Sequence, residues 1–218
     1  MLMSTIMSKI YLEILDDTRQ KVFNKLSNFN QQGYLAGGTG LALQIKHRKS
    51  VDFDVFVKKP ISNSLRLKAR KILGALDFYV DSAEQISFYT ENNISVTFAW
   101  YYYKPLFPLV STSSLSLATA YDIIADKAHT IGRRAVWRDY VDFFFVLKNK
   151  IVTLGKIIDF AKQKFAGEFN EALFLQQLSY FKDITIVPIE FIDSSYTPKE
   201  IKSFLEQQVA AYVKKTLM

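Results

Sequence analysis

The chain has 218 residues, 49% of them hydrophobic and 22% charged, and Lys and Arg outnumber Asp and Glu by 28 to 21, a formal charge of +7. That is enough apolar material for one larger domain or two small ones, too much for intrinsic disorder, and the wrong sign for an acidic solvating chain. With no cysteine there is no disulfide framework, no thiolate nucleophile and no Cys-ligated zinc or iron–sulfur site, so a reducing compartment is expected.

The uncharged stretch Pro105–Tyr121 holds two prolines and scattered Ser and Thr, and cannot span a bilayer. The N-terminus lacks the basic region, apolar core and cleavage site of a signal peptide. A cytoplasmic protein with no membrane partner is expected. The charge is local: between Gln44 and Lys71 nine basic residues face two acidic ones, Asp52 and Asp54, while the rest of the chain balances at 19 against 19. A positive segment of this kind attracts a polyanion such as a nucleotide or RNA, unless it is only the solvated face of a helix around Arg66–Lys71.

In chain order, apolar residues at helical spacing predict a long helix over Lys9–Phe29. Tyr34, Leu35 and Ala36 lead into the Gly37-Gly38 break, and Thr39–His47 reads as a short helix opening on it. Val51–Val57 (VDFDVFV) alternates as a strand, with Val51, Phe53, Val55 and Val57 on one face and Asp52, Asp54 and Phe56 on the other. Ser62–Leu76 is predicted helical, with Leu65, Ala69, Ile72, Leu73 and Leu76 inward. Phe78–Val80, Ile86–Tyr89 and Ile94–Tyr103 are predicted strands. Beyond Pro108 the pattern turns helical: Thr119 with Asp122 opens a helix to Ile131, and Ala135–Leu147, Ile151–Phe165, Glu171–Phe181 and Pro198–Lys215 follow. The expected organisation is α+β, with a mixed-sheet core and flanking helices over residues 1–110 and a helical domain over 111–218 packed on it.

Gly37-Gly38-Thr39, followed by Asp52-Phe53-Asp54, has a specific physical meaning. Two glycines let backbone approach a triphosphate, and a helix starting there aims unpaired N–H groups at its oxygens. Aspartates at i and i+2 of a strand stand about 6–7 Å apart at Cα on one face, which suits hard cations bridging to phosphates.

GYLAGGTGLALQIKHRKSVDFDVFV, with SLATAYDIIADKAHTIGRRAVWRDYVDFFFVL from Ser116, resembles the AbiEii/AbiGii toxin family of nucleotidyltransferases in the DNA polymerase β-like superfamily. The resemblance covers Leu35–Leu147. It implies an N-terminal polymerase β-like sheet and a metal-dependent enzyme that transfers NMP from an NTP to an acceptor hydroxyl. Gly37, Gly38 and Thr39 would hold the triphosphate, with Arg48 and Ser50 beside it, and Asp52 and Asp54 would bind Mg²⁺ (or Mn²⁺). Lys127 would be the family's later lysine and Asp139 its later aspartate, with Asp142 on the same face. The resemblance further implies a toxin of a toxin–antitoxin or abortive-infection system, with RNA, including tRNA, as acceptor and a cognate antitoxin as partner.

From spacing alone, Lys127 equally suits a solvated helix face, and Arg138–Asp142 an i,i+4 ion pair. The superfamily's third carboxylate has no counterpart, since the matching strand offers Ser95, Thr97 and Ala99 on one face. A catalytically degenerate member that binds nucleotide, RNA or a partner is therefore the alternative. His47 reads as a loop residue that could touch phosphate, and Tyr101–Tyr103 as a strand that could stack bases. Trp137 and Phe143–Phe145 read as core.

Overall fold

In a computed structural model, residues 9–74, 77–134 and 136–216 are described; Leu76 and Ala135, each expected in a helix, lie outside them. The helix expected over Lys9–Phe29 is divided. Leu15 is extended, and the Asp16 side chain accepts the Arg19 N–H at 2.8 Å, so α1 (Asp17–Leu26) starts at that cap. Single 3₁₀ turns, Leu12–Ile14 and Ser27–Phe29, flank it. Apolar spacing runs through such a cap unchanged, which is why the sequence pattern reads as continuous.

The other early elements are β1 (Gly33–Leu35), α2 (Gly37–Ile45), β2 (Phe53–Val57), α3 (Asn63–Leu73), β3 (Phe78–Asp81), β4 (Gln85–Tyr89) and β5 (Ser95–Trp100). Ser62 caps α3 by accepting from Leu65 N–H, and Gly74 closes it at φ +65°. The five strands form one mixed sheet in the order β1-β2-β5-β4-β3, with β2 and β5 parallel and every other pairing antiparallel.

Alternation gives the sheet two different faces. Phe53, Val55, Val57, Ile86, Phe88, Val96 and Phe98 are buried with Phe23, Leu26 and Phe29 from the α1 region and Leu65, Ala69 and Leu73 of α3. Each such side chain contributes about 1.5–3 kcal/mol by leaving water, so the sheet and its two helices fold as one core. Val51 falls outside it: it precedes β2 and is exposed. The opposite face carries Asp54, Thr97, Ser95, Ser87 and Gln85.

Residues to Lys46, 50–100 and 109–117 make up this first unit; 47–49, 101–108 and residues from 118 onward make up a second. The second unit is helical: α4 (Ala120–Ile131), α5 (Trp137–Lys148), α6 (Leu154–Phe165), α7 (Glu171–Leu178) and α8 (Pro198–Thr216). Thr119, Thr153 and Asn170 cap α4, α6 and α7. Phe143, Phe144, Phe165, Phe174 and Leu205 are among its fully enclosed side chains. Among the described residues, no helix is long and apolar enough to cross a membrane.

Candidate active site

In the first unit the Gly37-Gly38 turn is held directly against β2. The Ala36 N–H donates to the Asp54 carbonyl at 2.8 Å. Gly37 follows at φ +62°, and a Cβ there would overlap the Asp54 carboxylate. Both the backbone angle and the close approach require glycine. Helix α2 begins at once, with no side-chain cap from Ala36, and its first i→i−4 bond runs from Gly40 N–H to the Ala36 carbonyl at 3.1 Å. The N–H groups of Gly37, Gly38 and Thr39 precede that bond, at the positive end of the helix.

Asp54 lies in β2 and Asp52 one residue before it; both are half-buried. The loop to Asp52 is fixed from behind by Thr39, a buried residue whose hydroxyl bonds Ser50 Oγ at 2.9 Å and the Asp52 carbonyl. The side chains of Thr39 and Ser50 thus brace the aspartate loop, which leaves the Thr39 backbone N–H at the helix start. In the parallel register Asp54 pairs with Thr97, so the strand position beside it holds a hydroxyl in place of an acid. Thr97 bonds Ser87 at 2.9 Å, and Gln85 donates to Ser87 at 2.8 Å, which makes this face a neutral polar ladder. Among the described residues no group of three or more His, Asp or Glu could hold a metal. Asp52 and Asp54 offer hard oxygen donors beside the uncapped start of α2. They suit a divalent cation whose remaining ligands come from a substrate's phosphates.

Arg48, Lys127 and Asp139 come together in the second unit, around a residue that sequence reasoning placed only as their neighbour. Arg48 forks onto Asp142, Nε to Oδ1 at 2.7 Å and Nη2 to Oδ2 at 3.0 Å. Lys127 Nζ meets Asp142 Oδ2 at 2.9 Å and also Asp139 Oδ1. All four are buried. Burial would push the Asp142 carboxyl up, but Arg48 and Lys127 outweigh it and hold it well below the ordinary carboxylate range. Burial would lower Lys127, but Asp142 and Asp139 raise it. Lys127 is therefore not on a solvated face, and Asp142 takes partners far away in sequence.

His47, expected in a loop, is buried in the same network with Nε2 2.7 Å from Asp142 Oδ1. Burial lowers its pKa against the pull of Asp142, so the neutral ring donates through Nε2, and Nδ1 is enclosed without a hydrogen-bond partner. A second cluster went unnoticed in the sequence. Lys164 reaches Asp122 at 3.0 Å and Asp126 at 2.7 Å; Asp122 also accepts the N–H groups of Leu106 and Phe107, and Tyr101 donates to Asp126. The readable signal was two acids at i and i+4 on an otherwise apolar helix face, which demand a buried cation. Tyr103 packs its ring against Phe165, and only Tyr102 of the tyrosine run is largely exposed.

Solved structures superpose on most of this chain. MenT4, nucleotidyltransferase toxin Rv2826c from Mycobacterium tuberculosis H37Rv, superposes with a TM-score of 0.60 over 88% of this chain and 80% of its own, at 14% identity. JHP933 from Helicobacter pylori superposes with a TM-score of 0.56 over 94% of each chain, at 15% identity. The fold is nucleotidyltransferase-like. In sequence, an uncharacterized protein of Aquifex aeolicus (strain VF5) is 24% identical over 188 residues, 83% of this chain and 87% of that one. No protein-family model matches.

Proposed function

We propose that this protein is a metal-dependent nucleotidyltransferase that moves NMP from an NTP to an acceptor hydroxyl, and that it acts as the toxin of a toxin–antitoxin or abortive-infection pair. The observation that carries the reading is the contact of the Asp54 carboxylate with Gly37 at the uncapped start of α2. It puts groups suited to a cation and groups suited to phosphate side by side at the start of β2. The nucleotidyltransferase-like fold supports the same reading, and the resemblance to a nucleotidyltransferase toxin supports the toxin role.

In this reading the backbone N–H groups of Gly37, Gly38 and Thr39 hold the β- and γ-phosphates. Asp52 and Asp54 would hold Mg²⁺ or Mn²⁺, which when bound neutralises phosphate charge. The acceptor oxygen bonds to the α-phosphorus as the bridging P–O bond to the β-phosphate breaks, and pyrophosphate departs with the electron pair. Thr97 is not basic at neutral pH, so the hydroxyl proton passes to a carboxylate oxygen or to water. Arg48, Lys127 and Asp139 belong to the reading through the resemblance. RNA or tRNA is the proposed acceptor, and a cognate antitoxin the proposed partner.

The test is Asp52→Asn with Asp54→Asn. Transfer from α-labelled NTPs to total RNA, and any growth arrest, should both disappear while thermal unfolding stays near wild type. Unchanged toxicity in the double variant would overturn the mechanism. Thr97 beside Asp54 favours one second reading, a member that binds nucleotide without transferring it. That reading requires Mg²⁺-dependent thermal stabilisation by NTP in the wild type, its loss on mutating Asp52, and no labelled product from any of the four NTPs.

A further inference from the structure

The basic segment read from the sequence is only partly neutralised, and what is left gathers on the helix side of the sheet unit. Lys46 pairs with Glu13, Arg48 with Asp142, Lys49 with Glu190 and Arg66 with Asp81. Among the described residues Lys58, Lys59, Lys68 and Lys71 have no carboxylate partner, and neither have Lys21 and Lys25 of α1. Short contacts join these stretches into one surface. Lys68 Nζ donates to the Asn28 carbonyl at 2.6 Å and to Gln32 Oε1 at 3.4 Å. Asn28 Nδ2 donates to the Lys25 carbonyl at 2.9 Å, and the Lys58 N–H to the Gln32 carbonyl at 3.1 Å. Both acceptors of Lys68 are neutral, so its charge stays uncompensated. Helix α3 contains no acid, and α1 only Asp17 in its first turn. Leu67 stands within this charge, next to Lys68 and one turn before Lys71. At 67% exposure it is the most exposed large apolar side chain among the described residues, on a helix whose Leu65, Ala69 and Leu73 are buried.

We infer that this face of α1 and α3 docks a protein partner through an acidic amphipathic segment, with an apolar residue of that segment covering Leu67. The surface is separate from the candidate active site, because α1 and α3 pack on the sheet face opposite Asp54. Charge complementarity sets the sign of the partner. Its class follows from what the face offers. The guanidiniums, whose planar forks match phosphate, are turned to other work: Arg66 bonds Asp81 and the Ser82 carbonyl, and Arg70 lies over the Phe78 ring at 4.6 Å. The exposed aromatic rings Tyr79, Tyr89, Tyr102 and Tyr180 lie on other segments, so bases find no stacking platform on α1 or α3. One exposed leucine is too little apolar surface to enter a bilayer. Lysines one helical turn apart, Lys21 with Lys25 and Lys68 with Lys71, match carboxylates at i and i+4 or i+3 of a partner helix, and Leu67 between them gives that helix an apolar anchor.

The experiment uses the full chain and a fluorescein-labelled synthetic helix of Glu and Ala with a single Leu among its glutamates, read by anisotropy at low and physiological salt. The same peptide with Ala in place of Leu, and a labelled oligouridylate, are measured beside it. The Leu peptide should bind about tenfold more tightly than the Ala peptide, and both should weaken as salt rises. Leu67→Ser should erase the difference between the peptides. Lys25→Glu with Lys71→Glu should abolish binding of both, while thermal unfolding of either variant stays near wild type, since all three side chains are exposed. No binding of the Leu peptide, equal binding of the two peptides, or binding that survives the charge reversal overturns the inference. So does an oligouridylate that binds more tightly than the Leu peptide and is lost in the same lysine variant, because the face would then serve nucleic acid.

Discussion

In the helical unit the buried aspartates, Asp122, Asp126, Asp139 and Asp142, each touch a lysine or arginine group inside the unit, Arg48 and Lys127 against Asp139 and Asp142, and Lys164 alone between Asp122 and Asp126. In the sheet unit Asp52 and Asp54 are half-buried at the end of a strand, where one carboxylate abuts glycine backbone and pairs across the sheet with a neutral threonine. The same side chain serves two purposes. A carboxylate fully enclosed with a guanidinium or ammonium holds helices together, because separating the pair strands a charge in low dielectric. On the proposed reading, a half-buried carboxylate at the start of a strand, beside a helix N-terminus, would hold a cation against an arriving anion.

The largest effect is expected on removing Asp142. Asp142→Asn takes the carboxylate from between Arg48, Lys127 and His47, and about 3–5 kcal/mol of stability is expected to go, measured by urea unfolding. The Asp52/Asp54 double asparagine variant should lose little by the same measurement. Equal losses in the two would erase the distinction between structural and functional acids. Because Asp142 titrates well below the ordinary carboxylate range, its contribution is present above that range and fades only as pH falls through its folded value.

Asp126 has the opposite sign. Burial pushes it up to about 6 from the ordinary 3.8, against Lys164, which pulls it down. A raised acid favours the folded state below its unfolded pKa and loses that advantage as pH rises toward 6, roughly 3 kcal/mol at most. Asp126→Asn keeps the acceptor for Tyr101 and removes the titration. Compared with this variant, the wild type should lose ground between pH 4 and pH 7 in thermal unfolding. A difference that is flat with pH would show that Lys164 cancels the burial penalty completely.

The contrast between the units also explains what could be read from sequence. The strands, most helix starts, the Gly-Gly turn and the Asp-x-Asp strand are local patterns, and alternation, caps and spacing report them. The partners of Asp142 are not local: Arg48 lies 94 residues away, and an i,i+4 reading with Arg138 looks equally good on a helical wheel. Thr39 reads as a phosphate-side residue because it follows two glycines, but its χ1 turns the hydroxyl inward to the Asp52 carbonyl, which only the three-dimensional path of the loop decides. His47 fails for the same reason, since a short polar segment gives no sign of burial.

A smaller effect is expected at Gly37. Gly37→Ala forces a methyl into the left-handed region and against the Asp54 carboxylate, a loss of about 1–2 kcal/mol with the carboxylate displaced. Mg²⁺-dependent stabilisation by NTP should vanish at this modest cost, whereas Gly132→Ala, in a loop of the other unit, should leave it intact. Retained NTP stabilisation in Gly37→Ala would mean that the close approach to Asp54 has no part in binding.

The mildest change gives the sheet unit one more acid. Thr97→Asp places a carboxylate beside Asp54 in the parallel register and removes the hydroxyl bond to Ser87. Without metal, two neighbouring carboxylates repel, and a loss of about 1 kcal/mol is expected from repulsion and the lost bond together. With Mn²⁺ present the sign should reverse, because a third oxygen ligand strengthens the site. The variant's melting temperature should then rise with Mn²⁺ concentration more steeply than that of the wild type. If Thr97→Asp is destabilised equally with and without Mn²⁺, then Asp52 and Asp54 do not face a common cation position. The half-buried acids of the sheet would then be structural after all, like those of the helices.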